Sequence, residues 1–206
     1  RAKKIIPGGN MLLSKNPDRY IPKLWPSYFN LAKGCKVTDL DNNQYIDTAT
    51  MGVGTNILGY SNIEVDKAVK KIINQGNMST LNCPEEVYLS EKLVELHPWF
   101  HMVKYARSGG EANSIAIRIA RAASGRDNVA ICGYHGWHDW YLSTNLNTSS
   151  RSNLDTHLIQ GLEVKGVPKK LKNTVFPFDY GDLKKLNYII KNKNIGVIKM
   201  EVCRNT

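Results

Sequence analysis

Two short stretches of the 206-residue chain carry residue types that could bind or transform a ligand. The first is RSGGEA, Arg107–Ala112, which lies between a predicted strand and a predicted helix. Backbone N–H groups of Ser108, Gly109 and Gly110 would be free at the start of that helix, and the helix dipole would favour an anion such as a phosphate. A plain tight turn, in which the glycines only allow positive φ, is the alternative. The turn contains neither a Walker loop nor a dinucleotide fingerprint.

The second stretch is GYHGWHDWY, Gly133–Tyr141, and it allows three interpretations. His135 and His138 with Asp139 could bind a metal, but no further ligand stands at a supporting spacing, so a metal site is disfavoured. The tryptophans could instead form a small hydrophobic core. Tyr134 could instead stack on a flat, phosphorylated ligand, because the stretch follows a predicted strand and so emerges at the same sheet edge as the first turn. That last interpretation depends on both motifs together.

The elements around these motifs alternate in the order strand, helix, strand. Met102–Ala106 is a short apolar segment that predicts a strand, a helix follows and ends at Gly125, and Asn128–Cys132 predicts the next strand. This βαβ order indicates a parallel sheet in an α/β domain. The helix carries an apolar stripe that we expect to face the core, formed by Ala112, Ile115, Ala116, Ile119, Ala120 and Ala123.

Other segments have clear local signals. A hairpin is predicted over Lys36–Asp47, and a helix opens with a capping box of Ser61 and Glu64. A further helix begins near Pro84 and ends before Pro98. The remaining predictions are a loop over Ser143–Leu158, a helix over Asp182–Asn192 and a buried strand over Ile195–Val202.

Composition limits the classes of function. The net charge of +10, from 28 Lys and Arg against 18 Asp and Glu, allows an anionic partner, but the lysines are dispersed and are typical of a solvated surface. No apolar run approaches the roughly 18–20 residues of a membrane span, and no leader is evident. The four cysteines are far apart and indicate neither disulfides nor structural zinc, which predicts a reducing cytoplasm; they are Cys35, Cys83, Cys132 and Cys203.

The two motifs together resemble a known family. SGGEANSIAIRIARAASGRDNV followed by GYHGWHDWY is similar to the large-domain core of class III aminotransferases, the pyridoxal-phosphate (PLP) enzymes of fold type I, and especially to the branch of glutamate-1-semialdehyde aminomutase. IPGGN, GCKVTDLDNNQYID, MGVGTNILGY and EVCRN follow the family's order, so the resemblance spans nearly the whole chain. It implies an α/β fold with a mostly parallel sheet. Residues 1–60 would be an N-terminal segment of the small domain, and residues 61–206 the first part of the PLP-binding large domain.

The resemblance also assigns cofactor-binding residues. Ser108, Gly109 and Gly110 match the turn that holds the cofactor phosphate. Tyr134 matches the tyrosine that stacks on the pyridine ring, with His135 beside it. The family has a hydroxyl residue at the position of Gly110, so one hydrogen bond to the phosphate is removed here.

Further matches lie near the end of the chain. Glu201 matches the glutamate of an E-P-V motif close to the cofactor, although Val202 replaces the proline. Asn205 matches an asparagine that contacts the ring hydroxyl. Met51–Tyr60 matches a loop that approaches the substrate. The Schiff-base lysine and the aspartate that pairs with the pyridine nitrogen would lie after Thr206, so we expect the chain to be the N-terminal half of the enzyme, inactive alone, with no catalytic residue assignable in it.

The resemblance implies transfer of an amino group, as an aminotransferase or an aminomutase, by a cytoplasmic homodimer that acts on small-molecule amino donors and acceptors. Another fold type I activity, such as a racemase or a decarboxylase, stays open because the fold hosts several chemistries. The alternative from another class is a non-catalytic basic α/β module that binds a polyanion. We expect neither a nucleic-acid nor a membrane partner.

Overall fold

The structure of the protein is a computed structural model that describes residues 1–48, 51–147 and 163–202. Its contacts divide the chain into two units, Arg1–His101 and Met102–Thr206. This boundary lies two helices later than the expected division after residue 60. The helices over residues 63–96 therefore group with the N-terminal segment, and their assignment to the PLP-binding domain stays a prediction. Among the described residues, no helix is both long and apolar enough to cross a membrane.

The first unit contains a small antiparallel sheet. Its strands are β1, Phe29–Lys33; β2, Lys36–Asp39; and β3, Gln44–Ile46, in the order β1-β2-β3. The predicted hairpin is confirmed, since β2 and β3 pair in antiparallel register. Buried Asp39 closes its turn by accepting hydrogen bonds from the N–H groups of Asp41, at 2.8 Å, and Asn43, at 2.9 Å. Short 3-10 helices precede the sheet at Ala2–Lys4, Pro7–Gly9, Leu13–Lys15 and Pro17–Arg19.

Two predicted helices follow this sheet, α1, Ile63–Gln75, and α2, Pro84–Leu96. The predicted capping box at the start of α1 is wrong. The Asn62 side chain caps the helix by accepting from Glu64 N and Val65 N, both at 3.2 Å. The Ser61 hydroxyl instead donates to the Ala32 carbonyl at 3.2 Å, a contact across 29 residues that local spacing could not reveal.

The expected substrate-side loop, Met51–Tyr60, consists mainly of turns. Tyr60 fixes its end, because its backbone pairs with Gly34 and its hydroxyl donates to Asp47 at 2.7 Å. Burial and the hydrogen bond to Asp47 raise the pKa of Tyr60 to about 12. The role of the loop toward a substrate stays a prediction.

The second unit confirms the predicted parallel sheet. Its strands are β4, Asn128–Cys132; β5, Val175–Pro177; and β6, Ile195–Met200, in the order β5-β4-β6, and both pairs are parallel. Its helices are α3, Gly109–Ser124; α4, Asp139–Leu142; and α5, Leu183–Asn192. Gly125 ends α3 in the left-handed conformation, as the sequence predicts, and the helix predicted over Asp182–Asn192 is present as α5, with the Asp182 side chain as its N-cap. A further 3-10 helix spans Lys169–Leu171.

The core lies on both faces of β4. Val129 and Ile131 pack on one face with Ile117 and Tyr141. The alternate residues Ala130 and Cys132 pack on the other face with three further side chains, Phe178, Ile189 and Ile195. A strand covered on both faces is typical of parallel sheets in α/β domains.

Three expectations about the second unit are wrong. Residues 102–106 form no strand, because no described strand lies beside them to exchange hydrogen bonds. Helix α3 buries Ile117 rather than the predicted stripe, and Ile119 of that stripe is exposed. Strand β6 is only partly buried, since its Ile198 is exposed.

The predicted loop over residues 143–158 is also partly wrong. Ser143–Asn147 is a 3-10 helix in which Ser143 and Thr144 are buried. Their hydroxyls donate back to Trp140 O at 2.7 Å and to Tyr141 O at 2.6 Å, which satisfies the polar groups inside the core. The rest of that stretch lies outside the described residues.

The described cysteines are free thiols. Cys35 and Cys83 are exposed, and Cys132 is buried in the sheet. Cys203 lies outside the described residues.

Candidate functional site

Side chains of Ser108 and Glu111 cap the N-terminus of α3 but leave two of its N–H groups unpaired. Ser108 Oγ accepts from Glu111 N at 3.3 Å, and the Glu111 carboxylate accepts from Arg107 N at 2.8 Å. Gly109 and Gly110 occupy the first two helical positions, where an N–H group has no partner within the helix. No other partner for these two N–H groups occurs in the part of the chain that the structure describes. The turn therefore offers two donors and a helix dipole to an anion.

The turn after β4 lies directly against this helix start. Gly136 has φ +105°, a conformation that side chains rarely adopt, and a Cβ built there would lie 3.2 Å from Gly110 Cα. Asn113 Nδ2 also donates to the His135 carbonyl at 3.0 Å. Glycine is required at Gly136 both by its backbone conformation and by this close approach. The structure thus brings together the two motifs that the sequence predicts at one sheet edge.

Tyr134 is the partly accessible aromatic of this turn, with 38% of its surface exposed. Its ring meets the ring of Tyr141 edge to face, with the centroids 6.0 Å apart. Tyr141 is fully buried, and its hydroxyl lies 3.1 Å from the Gly133 carbonyl, to which it donates. Burial raises the pKa of Tyr134, so the phenol is neutral at ordinary pH. A neutral ring on a rigid support suits a stacking role.

His135 lies inside the turn rather than on its surface, with 4% of its surface exposed. Its Nε2 is 2.9 Å from the Cys132 carbonyl, an acceptor, so Nε2 carries a proton. Burial and the neighbouring Lys199 lower the pKa of His135, although the bond to Cys132 and the charge of Glu201 oppose them. The imidazole therefore holds the turn to the sheet. A direct contact with a cofactor stays a prediction.

Glu201 directly follows β6 and also reaches this edge. Its backbone N–H donates to the Cys132 carbonyl at 3.3 Å, and its carboxylate packs so closely on Gly133 that a Cβ there would overlap it. The carboxyl ends of β4 and β6 therefore meet at the site, as expected for ligand sites in open parallel sheets. Asn205, predicted to contact the ring hydroxyl, lies outside the described residues.

The two tryptophans of the second motif have different environments. Trp140 is buried, and its Nε1 donates to Ser114 Oγ at 3.2 Å. Trp137 is exposed and stacks on the His138 ring at 4.7 Å. The small-core interpretation therefore holds for Trp140 alone. Among residues 1–48, 51–147 and 163–202, no three His, Cys, Asp or Glu side chains converge on one point as a metal site.

Sequence reasoning missed three residues that support the site. Asn113 and Ser114 link α3 to the second motif, and Ser114 Oγ also donates to the Gly110 carbonyl at 2.9 Å. Tyr141 supports the ring of Tyr134. The signal for the first two was their polarity, one turn after the glycines and just before the apolar part of the helix.

The fold and the site together define an α/β domain in which a helix start with two unpaired N–H groups contacts a turn that carries a partly exposed tyrosine. A family model described as aminotransferase class-III matches residues 24–175. The chain belongs to the class III aminotransferase family.

Two relatives illustrate the match in sequence. The chain is 35% identical to a 3-aminobutyryl-CoA aminotransferase of Cloacimonas acidaminovorans (strain Evry), over 96% of this chain and 44% of the relative. It is 31% identical to a glutamate-1-semialdehyde 2,1-aminomutase of Sulfolobus acidocaldarius, over 92% of this chain and 44% of the relative. The chain thus spans less than half the length of these relatives.

Solved structures agree in fold. A transaminase with PLP bound superposes with a TM-score of 0.79 and 24% identity, over 98% of this chain and 45% of that one. An omega-transaminase from Sphaerobacter thermophilus gives a TM-score of 0.75 and 22% identity, over 98% of this chain and 45% of that one. The fold is therefore that of the PLP-dependent transaminases, fold type I, and the predicted fold class is confirmed.

Proposed function

We propose that the complete protein binds pyridoxal 5'-phosphate at this site and transfers an amino group. The observation that carries the proposal is the contact between Gly136 and Gly110, which places two unpaired N–H groups and Tyr134 at one sheet edge. Family membership and the PLP-bound solved structure support it. PLP, when bound, acts as an electron sink for bonds at the carbon that bears the amine.

The residues present fit this cofactor in three ways. Gly109 and Gly110 offer N–H donors at a helix start, which suits a phosphate. Tyr134 offers a neutral, partly exposed ring that suits a flat heterocycle. Glu201 brings a carboxylate to the same edge. In this proposal these residues bind and orient the cofactor, and the lysine and aspartate expected downstream complete the site.

We also propose the finer properties that the family suggests. Relatives include both aminotransferases and aminomutases, so the reaction is either transfer between two small amino compounds or movement of nitrogen within one. A homodimer in the cytoplasm is the expected context.

The experiment is a PLP titration of the complete protein with a matched pair of variants. Gly110→Asp places a carboxylate at the phosphate donors. Two unit charges about 4 Å apart repel by about 4 kcal/mol near a protein surface, so we expect a loss of at least about 100-fold in PLP affinity. Gly125→Asp adds the same charge at the other end of α3, where a Cβ meets no described atom within 4 Å. Its φ of +62° makes this variant less stable, but its PLP affinity should equal that of the wild type.

Pyridoxal without the phosphate separates charge repulsion from damage to the fold. Its affinity should change little in Gly110→Asp. Unchanged PLP affinity in Gly110→Asp, or no PLP binding by the wild type, would refute the proposed site. Salt-resistant, tight binding of nucleic acid by the wild type would favour the polyanion alternative instead.

A further inference from the structure

The imidazole of His138 occupies the space that a side chain at Gly110 would need. A Cβ built at Gly110 would lie 2.5 Å from His138 Cε1 and 2.6 Å from Nδ1, but 3.8 Å from Nε2. The edge of the ring that carries Nδ1 therefore faces the start of α3. A side chain larger than hydrogen at position 110 and this ring position exclude each other.

Contacts to both the ring and the backbone restrain His138. Trp137 stacks on it, with the centroids 4.7 Å apart and the planes 26° apart. The His138 carbonyl accepts from Tyr141 N at 2.9 Å and from Leu142 N at 3.1 Å, which anchors its backbone at the start of α4. A donor fixed in this way loses little conformational freedom when it forms a hydrogen bond.

Nδ1 of His138 has no hydrogen-bond partner among the described residues, although the atom itself is buried. Buried polar atoms are nearly always paired, so an unpaired one needs an explanation. The ring edge that carries Nδ1 faces Gly110, whose own N–H group is also unpaired. Three polar groups at one helix start thus lack partners within the described chain, namely the N–H groups of Gly109 and Gly110 and Nδ1 of His138.

We propose that His138 is a phosphate-positioning residue, which donates a hydrogen bond from Nδ1–H to the cofactor phosphate held at Gly109 and Gly110. This inference rests on the proposed function and deepens it. The imidazole stands in for the hydroxyl that the family pattern has at position 110, because its ring edge lies where that side chain would begin. The ring can take this position only because residue 110 is glycine.

The test compares substitutions that keep or remove a donor at Nδ1, with PLP and with pyridoxal. His138→Ala should weaken PLP binding about 10- to 100-fold, the range for a hydrogen bond to a charged group, and change pyridoxal binding less than about twofold. His138→Asn places an amide N–H near the position of Nδ1 and should recover most of the PLP affinity. His138→Gln places its amide nearer to Nε2 and should not.

A second pair of variants tests the exclusion between the two side chains. Gly110→Ser should weaken PLP binding in the wild-type background, because the new Cβ displaces the ring. In the His138→Ala background the same serine should strengthen PLP binding, because its hydroxyl then has room to donate. This reversal of sign is not expected if His138 only supports the fold.

The outcomes separate this inference from the proposed function. Equal loss of PLP and pyridoxal affinity in His138→Ala would overturn the inference, as would a serine at position 110 that is equally harmful in both backgrounds. If the wild type binds PLP and Gly110→Asp does not, while His138→Ala binds normally, the phosphate site stands and only the role of His138 fails. If the wild type does not bind PLP, both fail.

Discussion

Gly136→Ala tests whether the two turns act as one site. The new Cβ would lie 3.2 Å from Gly110 Cα, closer than the roughly 3.5–4.0 Å at which carbon atoms pack. Alanine would also have to adopt φ +105°, which costs about 1–3 kcal/mol of stability. The substitution therefore has two separate effects. The strained backbone lowers the stability of the fold, and the new contact displaces the start of α3.

The displacement sets the expected effect on the cofactor. Gly110 or the turn must move by a few tenths of an ångström to relieve the contact. Such a shift takes an N–H···O hydrogen bond from about 2.9 Å toward the edge of the usual range, near 3.2 Å. Loss of most of one hydrogen bond to a charged group corresponds to about 1.4 kcal/mol, or about tenfold in PLP affinity.

Gly166→Ala is the matched control for this substitution. Gly166 has φ +88°, and a Cβ built there meets no described atom within 4 Å. It carries a similar backbone cost without a contact at the site. Thermal unfolding should show comparable losses of stability in the two variants, whereas equilibrium titration should show weaker PLP binding only in Gly136→Ala. Equal PLP affinities in the two variants would refute the idea that the Gly136 contact positions the phosphate donors.

Substitutions at three further residues test the support around the site. Tyr134→Ala should weaken PLP binding about 2- to 10-fold and Tyr134→Phe should preserve it, because stacking needs the ring face; equal losses would assign the effect to the hydroxyl. Tyr141→Phe should cost about 0.5–1.5 kcal/mol in urea unfolding, since it removes the bond to Gly133 O; an unchanged midpoint would contradict that bond. Burial and Lys199 lower the pKa of His135 from 6.5, so below pH 6.5 the unfolded chain takes up a proton that the folded chain does not. The stability present above pH 6.5 should fall as the pH drops below 6.5, by at most about 1.4 kcal/mol per pH unit, and His135→Gln should flatten this slope; an identical slope in both proteins would show that a group other than His135 is responsible.

Local signals predicted most of the second unit. The end of α3 at Gly125 and the span of α5 are properties of a few neighbouring residues, and the structure has both. The parallel sheet followed from the order of elements, because parallel strands need a crossover between them. The meeting of the two motifs followed from the same rule, since the turn after β4 emerges at the carboxyl edge of the sheet.

The failures share a physical cause, which is that they depend on distant partners. Residues 102–106 have the composition of a strand, but a strand exists only beside another one. Helix α3 has apolar residues on more than one face, so periodicity alone could not decide that Ile117 rather than Ile119 is buried. The position of the His138 ring against Gly110, across 28 residues of sequence, is of the same kind.

Close backbone approach, rather than charge, defines this site. Gly110 meets the His138 ring, Gly133 meets the Glu201 carboxylate and Gly136 meets Gly110, so three glycines let three segments converge at one sheet edge. The donors proposed for the anion there are backbone N–H groups and an imidazole, although the chain carries a net charge of +10. Donors of this kind select a ligand by direction and distance, whereas dispersed lysines attract any anion. Because Gly110 has no side chain, the space where a hydroxyl residue would place its Cβ is occupied by the edge of the His138 ring.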